Sequence, residues 1–185
     1  MAEISCWRFS LQPNTRTATA AARRPRIAIH QIYQISAKPF STAKLASWTE
    51  LGGPEAQSFG GTAFYTLRFD APSGAQAQRW TLDLGKVVQS ARVRLNGKDL
   101  GTVFTLPYRV SLEALKPQDN VLEVEVTGTS ANRIRDLDVR GVKWKIFYDP
   151  NVVNREYKPF DASKWPIAEQ GLLGPVTLQA QRALK

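Results

Sequence analysis

Five stretches of this chain alternate apolar and polar residues with a period of two, the signature of strands with one buried and one wet face. In "GTAFYTLRFDAP", Ala63, Tyr65, Leu67 and Phe69 share one face, and Phe64, Thr66 and Arg68 share the other. "RWTLDLG" sets Trp80, Leu82 and Leu84 against Thr81 and Asp83, and "ARVRLNG" sets Ala91, Val93 and Leu95 against Arg92 and Arg94. "VLEVEVTG" buries Leu122, Val124 and Val126, and "GPVTLQA" buries Val176, Leu178 and Ala180. The pattern predicts strands over 62–69, 80–84, 91–95, 121–127 and 175–180.

The turns agree with the strands. Asn96-Gly97 lies between two alternating runs, and both residues tolerate positive φ, so a hairpin is expected there. "YRVSLEALKPQDN" reads as a short strand, one helical turn and a break at Pro117. No long amphipathic helix separates the strands. The fold class is therefore all-β, an antiparallel β-sandwich or jelly roll. Residues 1–40 form a basic N-terminal segment in which "IAIHQIYQI" supplies one strand, with His30 as a strand residue, and 41–185 form the sandwich domain.

One segment breaks the pattern. Residues 129–174 separate two strands by more than a simple connector needs, and long excursions from rigid sandwiches often carry function. Within it, "GVKWKIFYDPNVVNREYKPFDASKWP" mixes two tryptophans, two tyrosines and two phenylalanines with lysines and aspartates, and shows no strand or helix rhythm.

Composition narrows the function. A 185-residue chain buries roughly 70% of its unfolded surface and needs no disulfides. With Cys6 and His30 as its only cysteine and histidine, it offers no intrachain disulfide and no cysteine- or histidine-rich metal site, and a Cys/His catalytic pair is not expected. The formal charge of +9 is uneven, +5 of it in residues 1–40, and no RNP motif, zinc finger or basic zipper accompanies it, so nucleic acid is not expected as a partner. No apolar run approaches a membrane span, and "MAEISCWRFS" is not a secretory signal, so the chain is expected to be soluble.

Four pieces resemble a known family when taken in order: "SWTELGGPEAQSFGGTAFYTLRF", "WTLDLGKVVQSARVRLNGKDLGTVFTLPYRVSL", "NVLEVEVTGTSANRIRDLDVRGVKWKIF" and "NVVNREYKPFDASKWPIAEQGLLGPVTL". They are similar to the C-terminal β-sandwich of alpha-L-rhamnosidase-like proteins of glycoside hydrolase family 106, and to the galactose-binding-like, sugar-binding domain of family 2 enzymes. "SANRIRDLD", "YKPFDASKWP" and "GLLGPVTL" are the most distinctive parts, within a span from Ser47 to Leu178. The resemblance implies a domain whose catalytic carboxylates lie on a separate barrel. It also implies a bacterial, secreted or periplasmic parent, and a structural calcium as an option.

Carbohydrate recognition needs flat rings that stack on a pyranose, flanked by groups that bond its hydroxyls. Trp144, Tyr148, Tyr157 and Trp165 supply rings near Asn132, Arg133, Arg135 and Asp136. The resemblance adds Phe104, in "LGTVFTLPYRV", as a residue at the sugar-facing end. A hydrolase would need two carboxyls at a controlled separation, and Asp136, Asp138, Asp149, Glu156 and Asp161 lie in the excursion, but spacing alone sets no such pair. No catalytic residue is assigned. The first reading is a non-catalytic module that binds rhamnose-containing or pectin-type glycan, with a catalytic glycosidase domain as its partner. The rings serve equally well as a seal between domains, and a small hydrolase is a third reading; the residues leave all three open.

Overall fold

The computed structural model describes residues 27–31, 40–42, 44–72, 79–145 and 158–181. Eleven strands and three helices follow in chain order among them: β1 (Ile27–Gln31), β2 (Phe40–Thr42), α1 (Trp48–Leu51), α2 (Pro54–Gln57), β3 (Thr62–Phe69), β4 (Arg79–Asp83), β5 (Lys86–Val87), β6 (Ser90–Leu95), β7 (Lys98–Val103), β8 (Arg109–Leu112), β9 (Asn120–Thr127), α3 (Ala131–Val139), β10 (Leu172–Gly174) and β11 (Thr177–Gln181). The strand read within "IAIHQIYQI" is β1; residues 32–35 and Cys6 lie outside the described residues.

The alternation in the sequence becomes alternation in burial. Ala63, Tyr65 and Leu67 of β3, Ala91, Val93 and Leu95 of β6, and Leu122, Val124 and Val126 of β9 point into one core, where they meet Trp80 and Leu82 of β4, Val110 and Leu112 of β8, and Leu178 of β11. Trp80 is 2% exposed, and removing so large a buried ring costs about 3 to 5 kcal/mol in proteins generally. The strands form two main antiparallel sheets, one ordered β2-β1-β3-β9-β6-β7 and one ordered β11-β4-β8. A short β10-β5 pair closes one end between them. This is an all-β sandwich.

Asn96 and Gly97 turn β6 into β7 with φ of 52° and 83°, as their composition requires. The expected helical turn after β8 is absent: residues 113–119 run without helix. Asn120, fully buried, explains the difference. Its side chain accepts from the Lys116 amide (2.9 Å) and donates to the Lys116 carbonyl (2.8 Å), replacing the partners that a turn of helix would provide.

Strand register shows which loops share an end. Thr62 and Ser90 both pair with Thr127, and Ala91 pairs with Val103, so β3 and β6 start where β7 and β9 finish. The loop after β7, which begins at Phe104, therefore leaves from the same end as α3. With neighbouring strands about 4.8 Å apart, the two departures are about 10 Å from each other across β6.

That end is anchored from beneath. Ser47 accepts from the Thr49 amide at the start of α1 (3.3 Å) and from the Gln170 amide (2.9 Å). Gln170 is buried, and its side chain brackets Thr129, accepting from the amide (3.0 Å) and donating to the hydroxyl (2.6 Å). The Leu172 amide donates to the Tyr65 hydroxyl (3.1 Å). Burial raises the Tyr65 pKa to about 12, although the Leu172 bond opposes the rise.

Candidate functional site

The first part of the excursion folds as α3, and residues 162–168 are laced along it by side chain to backbone bonds. Asn132 donates to the Ala168 carbonyl and accepts from its amide, both at 2.8 Å. One turn on, Arg135 Nε donates to the Trp165 carbonyl (2.7 Å). Asp138 Oδ2 then accepts from the Ala162 amide (2.8 Å). Helix positions 132, 135 and 138 thus hold backbone positions 168, 165 and 162, in antiparallel steps of three. Residues three apart lie on one helix face, so three polar side chains make one continuous seam.

The lower rung is also the electrostatic centre of the excursion. Asp138 Oδ1 accepts from Trp144 Nε1 (2.7 Å) and lies 3.2 Å from Lys145 Nζ. Lys145 donates in turn to the Phe160 carbonyl (2.5 Å) and sits 5.6 Å and 5.3 Å from the ring centroids of Trp144 and Phe160. The Asp138 side chain is only 7% exposed. Burial pushes its carboxyl up, but the Ala162 amide, the Trp144 indole and Lys145 outweigh burial and hold it below the ordinary carboxylate value.

The rings follow from this arrangement. Phe160 stands perpendicular to both Trp144 and Trp165, with centroids 6.2 Å and 5.5 Å away. Trp144 is half-buried and spends its N–H on Asp138. Trp165 remains 40% exposed, its amide bound to the Ala162 carbonyl (3.0 Å) and its carbonyl to Arg135. Phe104 projects further, 71% exposed, beside Leu106 at 78%.

The other sequence candidates divide. Asn132 is 1% exposed and fully engaged with Ala168, so its amide faces inward, away from solvent. Asp136 pairs with Arg140 at 2.7 Å. Arg133 is exposed beside the Gly60 turn. Tyr148 and Tyr157, together with Asp149 and Glu156, lie outside the described residues. Asp161 accepts from the Ser163 amide (2.8 Å), which with the Ser163 hydroxyl lowers its pKa. Asp136 and Asp138 of "RDLD" turn to different partners, and among the described residues no group of three or more His, Cys, Asp or Glu side chains gathers. The roles of Lys145, Phe160, Ala162 and Ala168 were not read from the sequence. The one signal for them was polar residues spaced by three in "NRIRDLD".

No protein-family model matches the chain. It is 30% identical over 155 residues to a Formosa agariphila protein named "Putative beta-glucuronidase", covering 73% of this chain and 13% of that protein. Its structure is similar to part of a rhamnosidase from Novosphingobium sp. PP1Y, with a TM-score of 0.65 and 26% identity over 90% of this chain and 16% of that one. A GH2 beta-galacturonidase from Eisenbergiella tayi, solved bound to galacturonate, shares the fold at a TM-score of 0.52 and 19% identity, over 84% of this chain and 23% of that one. In sequence and fold, the chain is similar to one β-sandwich portion of glycoside hydrolases several times its length.

Proposed function

We propose that the chain is a non-catalytic accessory sandwich of a rhamnosidase-like glycoside hydrolase, galactose-binding-like in type, which contacts rhamnose-containing or pectin-type glycan through Trp165. One observation carries the reading: Trp165 is exposed while its backbone is bound on both sides and its ring is braced by Phe160. A ring held in this way stacks on a sugar with little loss of conformational freedom. The acids nearby support a non-catalytic role. Asp136, Asp138 and Asp161 are each engaged, and Asp138 is held low, whereas a glycosidic general acid needs a raised pKa.

A glycan array of the purified chain, followed by calorimetry on the best ligand, tests this. Dissociation constants of about micromolar to millimolar are expected. Trp165→Ala should abolish binding with the fold retained. A second reading draws on Val139, Val142 and Ile167, which are aliphatic, exposed and carried by the same excursion as Trp165. Such a patch suits a protein surface better than a sugar. If no glycan titrates the wild type and a separately produced catalytic domain binds this chain, the interdomain reading replaces the first.

A further inference from the structure

We infer that the glycan met by Trp165 is acidic, and that its carboxylate is taken by the free edge of the Arg135 guanidinium. The inference rests on the glycan-contact reading above and adds the chemical class of the ligand. Among the described residues, Arg135 spends only Nε, on the Trp165 carbonyl. Its two terminal nitrogens point away from that bond in a planar fork that matches a carboxylate. Arg92, Arg94, Arg109 and Arg140 each pair with an acid, but among the described residues no carboxylate pairs with Arg135.

The surroundings have the same sign. In the described parts of the excursion, Asp136 is neutralised by Arg140, Asp138 by Lys145 and Glu169 by Lys86. Arg133, Lys143 and Lys164 are exposed with no acid paired to them among the described residues, and Lys164 directly precedes Trp165. Asp161, bonded to Ser163, is the acid left over. Counted over the described residues, the excursion that carries the stacking ring therefore holds surplus positive charge, with one guanidinium fixed at the ring's backbone. A neutral sugar would use the ring and leave that charge unspent, whereas a uronate uses both.

The test compares trigalacturonate with the neutral trimer galactotriose on the intact chain, by calorimetry at low and moderate salt. Trigalacturonate should bind at least tenfold more tightly, and the advantage should shrink as salt rises. Arg135→Gln, which keeps a donor for the Trp165 carbonyl, should remove most of the preference. Lys164→Gln, at a side chain with no bond among the described residues, should reduce it two- to threefold, and Lys116→Gln at the opposite end should leave it unchanged. Equal binding of the two trimers overturns the inference while the glycan reading stands; binding of neither, with a blank array, removes both. If Lys116→Gln weakens trigalacturonate as much as Lys164→Gln does, the attraction is diffuse and the assigned site is wrong.

Discussion

Tyr65 sits beneath the excursion with its hydroxyl on the Leu172 amide and about 1% of its surface exposed. Its folded pKa of about 12 lies above the ordinary value of 10, so the folded state keeps a proton that the unfolded chain gives up first. The resulting stability is complete below pH 10 and is lost as pH rises toward 12. Over that window the loss amounts to about 3 kcal/mol at most. Denaturant melts between pH 9 and 11 should show the wild type losing stability more steeply than Tyr65→Phe. Parallel slopes would mean that the hydroxyl ionises freely in the folded chain. At the same scale, Phe104 and Trp165 show how residues of one class separate by position: both are exposed, but only Trp165 is braced by another ring among the described residues.

Among the elements, the seam along α3 is held by bonds rather than by apolar contact. Asn132 is the only fully buried side chain on that helix, and what it contributes there is a pair of hydrogen bonds to Ala168. Replacing Asp138 with Asn removes the charge that Trp144, Lys145 and the Ala162 amide share, at a cost of about 2 kcal/mol. Limited proteolysis should then cut the excursion faster while the sandwich stays resistant. Uniform sensitivity of the whole domain would show that the seam does not act as a separate unit. The same physics explains what the sequence revealed. The strands were legible because a half-buried strand writes its environment into every second residue, and the β6–β7 hairpin because Asn96-Gly97 suits positive φ. The seam was not, because its partners lie 24 to 36 residues apart and half of each bond is backbone, which carries no residue code. The helical turn expected after β8 failed because there too half of each bond is backbone: Asn120, four positions after Lys116, holds that residue's amide and carbonyl.

For the whole molecule, a sandwich similar to a small part of much larger glycoside hydrolases sets the expectation for activity. The chain alone should release no sugar from aryl rhamnosides or glucuronides. Turnover that survives purification and disappears on substituting Asp136 or Asp161 would overturn the non-catalytic proposal, since a contaminating enzyme would be indifferent to either change. The candidate surface was only partly legible at this scale: rings and charges could be named from the chain, but which ring faces solvent depends on the packing of α3 against residues 162–168.

The smaller sheet has a consequence for synthesis. β4 is flanked by β8 and β11, and β11 reaches it from far along the chain, Gln181 bonding Thr81 a hundred positions earlier. On a ribosome adding about 5 to 20 residues per second, one edge of β4 waits about 5 to 20 s for its partner. Throughout that interval a row of unpaired amides and carbonyls is open to any other strand, including the same segment of a neighbouring nascent chain. Crowded polysomes, rather than the finished protein, are where this sandwich is most exposed to wrong pairing.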